Sequence, residues 1–303
     1  MRKYNIPIFI PHEGCGHDCV FCNQRKITGI QSSVSPDKAK EEIAQYLSTI
    51  KSEDCQIEIA YFGGSFTGLD MELQREFLEA ASGFKDERII GRRMSTRPDY
   101  INKEILEQCV EFGVKTIELG VQSASNRVLE LNRRGHVFED VIRAAEMIKS
   151  FGIELGLQMM LGMYGSDPET DIETCRKIIE LEPKCTRIYP TLVLSGTALE
   201  SLYIRGEYIP YTLETAVSTA KRCLLMFRKA GVEVIRIGLY PGEDLRSEGN
   251  IVAGPFHSAF GELDYEIIAP SSETSKIIGQ KKCNKEYFFK KYGVRIKVKN
   301  RLG

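Results

Sequence analysis

Residues 102–123, NKEILEQCVEFGVKTIELGVQS, contain a predicted helix followed at once by a predicted strand. The helix covers 102–113 and is closed by Gly113, a residue type common at helix ends. The strand covers 115–123, and its short apolar run is typical of a strand buried in a sheet. A helix that leads directly into a strand is one step of a βα repeat, so we expect the same unit elsewhere in the chain.

Helical and strand-like segments do alternate on both sides of this stretch. The first helix is expected to have Ser35 as its N-cap and Pro36 at its first position. Repeated βα units imply a parallel sheet with right-handed crossovers. About six strands carry these units, so the predicted fold class is α/β, a partial (β/α)6 TIM-like barrel with its active site at the C-terminal ends of the strands. The other helices are predicted over 35–50, 70–82, 138–152, 168–181 and 213–231, and the other strands over 56–64, 88–99, 153–162, 186–193 and 232–239.

The composition is that of an ordinary globular protein, with 42% of the 303 residues hydrophobic and 27% charged. This length accommodates one large domain, or one large and one small. No apolar run reaches the roughly 18–20 residues that a bilayer-spanning helix needs, so no membrane association is predicted. The N-terminal stretch MRKYNIPIFIPHEG lacks the long apolar core and the cleavage site of a signal peptide, so we expect a cytoplasmic protein.

Three of the nine cysteines lie within eight positions, in GCGHDCVFCNQ, residues 14–24. Thiols stay reduced in the cytoplasm, and closely spaced thiolates bind soft metals. Cys15, Cys19 and Cys22 follow the spacing C-x3-C-x2-C, which matches three irons of a [4Fe–4S] cluster and leaves the fourth iron open. A zinc site completed by His12 or His17 is the alternative. Most of the other cysteines lie among apolar residues and are interpreted as core thiols.

The cysteine spacing, with the aromatic Phe21 directly before the last cysteine, resembles the signature of radical S-adenosylmethionine (SAM) enzymes. The resemblance implies that the three cysteines hold a [4Fe–4S] cluster, that SAM binds its open iron and that Phe21 belongs to the cofactor site. It also implies that an electron cleaves SAM to a 5′-deoxyadenosyl radical, which abstracts hydrogen from a substrate. The expected electron donor is a reductase or a flavodoxin/ferredoxin-type protein.

Residues at the predicted strand ends extend the resemblance. In YFGGSFTGL, Gly63 and Gly64 would let the backbone approach a small ligand closely. The pair resembles the family's GGE motif, which meets the methionyl amino group of SAM, although Ser65 stands in place of the glutamate. A plain glycine turn is the alternative. In STRPD, Ser95 occupies the position at which related enzymes contact the ribose.

Two further motifs point to SAM. Gln122 ends ELGVQS and Arg134 lies in RRGH. In the oxygen-independent coproporphyrinogen oxidase branch, a Gln and an Arg at this spacing hold SAM, and a guanidinium can bind a carboxylate through two parallel hydrogen bonds. In QMMLGMYG, Met160 matches the strand that lines the adenine. The alternatives are a solvated helix end for the arginine and a core position for Met159 and Met160.

Taken together, the motifs most resemble the radical-SAM part of the Elongator catalytic-subunit family, over residues 5–240. That family uses acetyl-CoA to modify the wobble uridine of tRNA. Its acetyltransferase domain and its N-terminal tRNA-binding extension are not expected in this chain. The resemblance therefore implies the radical-generating chemistry and not the acetyl-CoA reaction.

The predicted domains are a radical SAM partial barrel over 1–240 and a small basic α+β extension over 241–303. Residues 276–301 hold eight Lys and two Arg against one acid, a net charge of +9, whereas the whole chain carries −1. Four aromatic residues lie among them, and 277–298 resembles the central spacing of a KH domain, so RNA, in particular tRNA, is a candidate partner. The alternative is a packed cap with solvated lysines. His257 could contact substrate, or could simply be packed.

Three functions are left open at this point. The first is a radical SAM enzyme that acts on RNA, with a tRNA base as its target. The second is a radical SAM enzyme that acts on a small metabolite such as a tetrapyrrole, as the arrangement of Gln122 and Arg134 suggests. The third is a zinc-binding module without enzymatic activity.

Overall fold

The structure is a computed structural model that describes residues 2–10, 14–23, 34–239 and 250–255, together with the backbone of 264–269 and 295–300. Most of the described chain forms one curled sheet with helices packed on its outer face. The predicted helices and strands of the barrel are present, with ends that differ by a few residues.

Seven parallel strands form the sheet, in the order β1-β2-β3-β4-β5-β6-β8. Consecutive strands are neighbours, as they are in part of a TIM barrel, so the predicted fold class is confirmed. The barrel strands are Arg2–Phe9 (β1), Cys55–Phe62 (β2), Ile89–Thr96 (β3), Val114–Gln122 (β4), Glu154–Leu161 (β5), Cys185–Pro190 (β6) and Glu233–Ile237 (β8), and the short strand Val193–Leu194 (β7) lies outside the barrel.

β1 is one strand more than the six predicted. It pairs with β2 in a register that runs from Arg2 opposite Cys55 to Phe9 opposite Phe62. Pro7 cannot donate a backbone hydrogen bond, and it is tolerated because β1 lies at the edge of the sheet. A strand whose partner lies so far along the chain leaves little trace in the local sequence pattern.

The helices between the strands begin and end with the expected residue types. The amide of Lys38 donates to the hydroxyl of Ser35 over 3.2 Å, which caps the first helix as predicted. Gly113 follows the third helix with a φ of 64°. The described helices are Pro36–Thr49 (α1), Met71–Ser82 (α2), Lys103–Glu111 (α3), Asn126–Leu131 (α4), Phe138–Ser150 (α5), Pro168–Glu180 (α6), Ala198–Ile204 (α7) and Leu213–Lys229 (α8).

Alternate residues of each strand point to opposite faces of the sheet. The outward residues, among them Ile59, Leu119 and Ile188, pack under the helices in one hydrophobic core. The inward face is polar halfway along the strands, where Glu118 on β4 forms an ion pair with Arg93 on β3. The barrel therefore has an apolar shell and a polar interior that opens towards the C-terminal ends of its strands.

The described residues beyond the barrel include three short strands. Ile251–Ala253 (β9) pairs antiparallel with β7, and Asp264–Ala269 (β10) pairs in parallel with Arg295–Asn300 (β11). His257 and most of the KH-like stretch lie outside the described residues, and the division of the chain at residue 240 stays a prediction. No helix in the described ranges combines the length and the apolar character needed to cross a bilayer.

Candidate active site

The cysteine loop, residues 14–23, follows β1 at the C-terminal edge of the sheet. Backbone hydrogen bonds hold its second half on two sides. The amide of Val20 donates to the carbonyl of Asn132 over 3.2 Å, and the amide of Leu199 donates to the carbonyl of Val20 over 2.8 Å. The loop is therefore fixed between the end of α4 and the start of α7.

Phe21 packs against a small apolar cluster beside this loop, apart from the main core. The side chains of that cluster are almost fully buried, so the aromatic ring stabilises the loop whether or not it also contacts a cofactor. The cluster consists of Val20, Val193, Leu199 and Tyr208.

The first half of the loop packs tightly on the segment that follows β2. Gly14 has a φ of 73°, and a Cβ at this position would lie 2.2 Å from the carbonyl oxygen of Ser65. Gly63 has a φ of 99°, which L side chains rarely adopt, and Gly64 comes next in the chain. The structure therefore places the predicted glycine pair in the segment that packs against the cysteine loop.

The three thiols face different neighbours. Cys19 is 5% exposed, and Nη1 of Arg134 donates to its Sγ over 3.3 Å. Cys15 is partly exposed, with its Sγ 3.5 Å from Oγ of Ser65. Cys22 is also partly exposed, and its amide donates to the carbonyl of Cys19 over 3.0 Å. In the part of the chain that the structure describes, no three Cys, His, Asp or Glu side chains are gathered into a metal-binding group.

The contacts of His17 do not favour the zinc alternative. Its Nε2 lies 3.6 Å from the carboxylate of Asp99. Its ring also packs over Gly135, where a Cβ would lie 2.2 Å from it. His12 lies outside the described residues. Neither contact of His17 brings its ring to the cysteine thiols.

Gln122 and Arg134 come together above Gly120 at the end of β4. A Cβ on Gly120 would lie 2.8 Å from Nε2 of Gln122 and 3.3 Å from Nη2 of Arg134. Nη2 of Arg134 donates to the carbonyl of Gly120 over 2.8 Å. The backbone of Gln122 has a φ of 68°, which is unusual for a residue with a side chain. The two residues expected to hold SAM are thus neighbours, and one of them already contacts the cysteine loop.

Both side chains have unpaired buried atoms. Oε1 of Gln122 and Nε of Arg134 have no hydrogen-bond partner among the described residues. A buried polar atom without a partner costs about 1–3 kcal/mol. Such atoms at the mouth of a barrel fit a polar ligand with both acceptors and donors, and the carboxylate and amino groups of SAM have that character.

The sequence analysis did not identify Arg97 and His136, which lie beside this pair. Arg97 is 2% exposed, donates to both carboxylate oxygens of Asp99 and also donates to the carbonyl of Arg134. His136 is 5% exposed, and its imidazole interacts with the backbone of Val121. Burial, with the charges of Arg134 and Arg97, lowers the pKa of His136 to about 4, so the imidazole is neutral at pH 7. Both residues belong to motifs already noted, STRPD and RRGH, but sequence alone gave no reason to expect their burial.

The structure distinguishes the two methionines on β5. Met159 is 0% exposed and belongs to the core under the helices, whereas Met160 is partly exposed on the inward face. Ser95 also faces inward, but its hydroxyl accepts a hydrogen bond from Nε2 of Gln158 over 3.0 Å. Met160 is therefore placed where it could meet the adenine, and Ser95 is engaged within the barrel. Their contacts with SAM stay predictions.

In their chemistry, the residues present fit a [4Fe–4S] cluster and SAM. Three thiols supply the protein ligands of such a cluster. The guanidinium of Arg134 contacts Cys19, and that of Arg97 lies near Cys19 and Cys15. Both guanidiniums suit an anionic cluster and a carboxylate. The unpaired acceptor on Gln122 suits an ammonium group. His17, by contrast, does not complete a set of zinc ligands with the three cysteines.

Two family models match this chain. Residues 9–178 match the model of the radical SAM superfamily, and residues 183–268 match that of the radical SAM C-terminal domain. A tRNA uridine(34) acetyltransferase from Methanocaldococcus jannaschii is 29% identical over 70% of this chain and 47% of its own length. Elongator complex protein 3 from Saccharomyces cerevisiae is 30% identical over 56% of this chain and 34% of its own. The chain thus spans less than half the length of these two relatives.

Solved structures share the fold. The archaeal Methanocaldococcus infernus Elp3, with residues 1–46 deleted, superposes with a TM-score of 0.68 at 23% identity, covering 98% of this chain and 64% of the other. Coproporphyrinogen III oxidase from Escherichia coli superposes with a TM-score of 0.57 at 16% identity, covering 76% of this chain and 52% of the other. At these identities the comparison shows the architecture alone. The match of the superfamily model to more than half of the chain, on top of the cysteine loop and the barrel, shows that this protein belongs to the radical SAM superfamily and is an enzyme with a [4Fe–4S] cluster and SAM as its cofactors.

Proposed function

We propose that this enzyme cleaves SAM reductively to a 5′-deoxyadenosyl radical and uses it to modify a base of tRNA. The observation that carries the first half is the meeting of Cys19, Arg134 and Gln122 at the C-terminal edge of the barrel. The second half is supported by similarity to tRNA uridine(34) acetyltransferases and by the +9 charge of residues 276–301. Acetyl transfer is not part of the proposal.

Each residue has a role that follows from its chemistry. Cys15, Cys19 and Cys22 hold the cluster, which supplies the electron that cleaves SAM when both are bound. Arg134 binds the SAM carboxylate, and Gln122 accepts a hydrogen bond from a polar group of SAM.

The remaining cofactor contacts surround this centre. Gly63 and Gly64 allow the backbone to approach the methionyl part of SAM, because neither has a side chain in the way. Met160 packs on the adenine. Ser95 reaches the ribose only if its hydrogen bond with Gln158 is shared or broken. Phe21 closes the site on the side of the cysteine loop.

The electron donor, a reductase or a flavodoxin/ferredoxin-type protein, would reach the cluster from outside the barrel. An open groove of about 540 Å³ lies beside Cys15 and supports this route. Part of its lining comes from Gly14, Tyr100 and Asn102. We also propose that the enzyme works in the cytoplasm, a compartment that keeps thiols reduced, as a cluster-binding loop requires.

Anaerobic reconstitution tests the first half of the proposal. We expect about four irons per chain and the formation of 5′-deoxyadenosine from SAM and dithionite. Cys19→Ala should abolish this reaction, whereas Cys109→Ala, which removes a core thiol on α3, should not. Zinc without iron in the purified protein would contradict the assignment.

Binding of tRNA tests the second half. We expect that an unmodified tRNA transcript binds the full-length protein and that its affinity falls steeply with salt. Neutralising Lys281, Lys282 and Lys285 to Gln should weaken binding, whereas neutralising the exposed Lys38 and Lys40 on the barrel should not. Equal binding by the two variants would contradict a role for the basic segment.

A small metabolite is the second candidate substrate. The convergence of Gln122 and Arg134, which resembles the coproporphyrinogen oxidase branch, favours a metabolite substrate. A metabolite-modifying enzyme would not need the basic segment to bind its substrate. 5′-Deoxyadenosine formation that responds to a cell metabolite fraction but not to tRNA would identify this case.

A further inference from the structure

A layer of ion pairs lies inside the barrel below the predicted SAM contacts. Glu118 is 1% exposed and is bound from two sides. Nη1 of Arg93 lies 3.2 Å from its Oε1, and Nη2 of Arg187 donates to the same oxygen over 3.0 Å. Nε2 of Gln158 donates to Oε2 over 3.0 Å. These contacts join β3, β4, β5 and β6 and fix the side chains on the inward face.

Tyr189 lies one layer closer to the C-terminal edge than these ion pairs. On β6 its neighbour Ile188 packs in the outer core, so Tyr189 points inward like Arg187. It is opposite Met160 in the register of β5 and β6. Its phenol lies beside Arg187 and near Glu118, and it is partly exposed towards the interior. Tyr189 thus lies on the inward face opposite Met160, the residue predicted to meet the adenine.

The phenol of Tyr189 holds its proton at neutral pH. Burial raises the pKa of Tyr189, Arg187 partly opposes this, and Glu118 adds to it. A phenolic O–H bond is weaker than an aliphatic C–H bond. A protonated phenol can therefore give up a hydrogen atom to a reactive carbon radical next to it. The ion-pair layer beneath it holds the ring in place during that transfer.

We propose that Tyr189 is a catalytic residue that donates a hydrogen atom to the carbon radical generated in the barrel, an inference that rests on the proposed function. The phenolic O–H bond breaks homolytically, a C–H bond forms at the radical carbon, and a neutral phenoxyl radical is left on Tyr189. One electron from the same low-potential one-electron donor that reduces the cluster, together with one proton from water, restores the phenol. The step therefore balances in atoms and electrons.

Other hydrogen-atom donors on the barrel strands are less well placed. Among the seven barrel strands, the two remaining tyrosines, Tyr4 and Tyr61, pack on the outer side, and the hydroxyl of Tyr61 donates to the carbonyl of Phe77 over 2.7 Å. Cys185 faces inward but lies four residues before Tyr189 on the same strand, about 13 Å further from the opening at the usual rise of a strand. Its Sγ is held close to Gly156, at the buried end of the barrel.

Abortive cleavage of SAM in D2O tests this role without a known substrate. The phenolic proton exchanges with solvent, so a hydrogen atom taken from Tyr189 labels the product 5′-deoxyadenosine with one deuterium. Reconstituted full-length enzyme, SAM and dithionite are incubated in D2O, and the deuterium content of 5′-deoxyadenosine is measured by mass spectrometry. We expect label with the wild-type protein and with the controls Tyr61→Phe and Cys185→Ala. We expect Tyr189→Phe to form 5′-deoxyadenosine with only background label.

A second readout does not depend on the variant. Wild-type enzyme frozen during turnover should show a phenoxyl radical by electron paramagnetic resonance, and the signal should narrow when the protein contains ring-deuterated tyrosine. Label retained in Tyr189→Phe, or lost equally in Cys185→Ala, would overturn the proposal. Unlabelled product from the wild-type enzyme would overturn it as well. Absence of any 5′-deoxyadenosine from the wild-type protein would instead reject the radical chemistry itself, so the two failures are distinguishable.

Discussion

The guanidinium of Arg134 lies 3.3 Å from the thiol of Cys19, although the two residues are 115 positions apart in the chain. This contact ties the predicted metal ligand to the predicted SAM ligand. A cation at this position also offsets part of the negative charge that thiolates and a cluster bring into a buried site. The loop that follows α4 is therefore part of the cysteine site.

Replacing Arg134 by Lys should weaken SAM binding to the reconstituted enzyme about tenfold or more. A lysine keeps the charge but cannot form the two parallel hydrogen bonds that a guanidinium makes with a carboxylate. A hydrogen bond to a charged group contributes about 1.5–3 kcal/mol. Equilibrium binding of SAM, measured by filtration or calorimetry, gives the comparison. The exposed neighbour Arg133→Gln is the control, and equal affinities of both variants would exclude a role for Arg134 in holding SAM.

Gly14→Ala should prevent stable incorporation of the cluster. Its Cβ would lie 2.2 Å from the carbonyl of Ser65, and the φ of 73° adds strain. Gly206→Ala is the matched control, because Gly206 has a φ of 72° but nothing within 4 Å of the added Cβ. Iron content and visible absorbance after reconstitution distinguish the two. Normal iron content in Gly14→Ala would show that the observed packing of the loop is not needed by the cluster.

Glu118→Gln should destabilise the fold by about 3 kcal/mol, because it leaves the buried guanidiniums of Arg93 and Arg187 without their shared carboxylate. Glu111→Gln, which breaks an exposed pair with Arg75, should destabilise the fold far less, because solvent screens that pair. Chemical denaturation of both variants measures the difference. Similar midpoints would mean that the interior ion pairs contribute no more than a surface pair.

The buried His136 should make stability depend on pH in acid. Its pKa is about 4 in the folded protein, against the ordinary value of 6.5, so the unfolded chain binds the extra proton first. Stability is therefore lost as pH falls from 6.5 towards 4, by an amount on the order of 3 kcal/mol. The free energy of unfolding of wild type minus that of His136→Gln, followed against pH, reports this loss. A difference that stays flat over this range would contradict the burial of a neutral imidazole.

Asp171 should show the opposite slope. Burial raises its pKa to about 6 from 3.8, while hydrogen bonds from Ser166, Gly162 and Tyr211 oppose the shift. The folded protein then holds the proton more tightly, so stability relative to Asp171→Asn falls as pH rises from 4 to 6. Thermal unfolding across this range checks the sign, and a rising difference would contradict it.

How far the sequence could lead depended on how local each signal was. The helix closed by Gly113 and the strands after it were visible because caps and apolar runs lie within a few residues of each other. β1 was not visible in the local sequence, because the evidence for this strand is its pairing with β2, which lies far along the chain. The C-x3-C-x2-C spacing predicted a metal site from residue types, with a [4Fe–4S] cluster and zinc both left open. The directions of the thiols depend on Ser65 and Arg134, which no local pattern connects to them.

The same distinction explains the rest of the site. Alternation along β5 separates Met159 from Met160, but only once the position of the core is known. Arg97 and His136 acquire their surroundings from loops after β3 and α4, which meet only in the folded barrel. Tyr189 was one of thirteen tyrosines in the sequence, and its inward direction became evident only with the register of β6.

The two backbone hydrogen bonds of Val20, with Asn132 and Leu199, have a consequence for how the protein folds. One of these bonds is to Asn132 and the other is to Leu199, so the contacts that hold the cysteine loop are incomplete until the chain has been synthesised and folded as far as Leu199. A nascent chain on the ribosome exposes the three thiols long before those contacts can form. The complete set of backbone contacts around the cysteine loop therefore exists only after the barrel has folded through the start of α7.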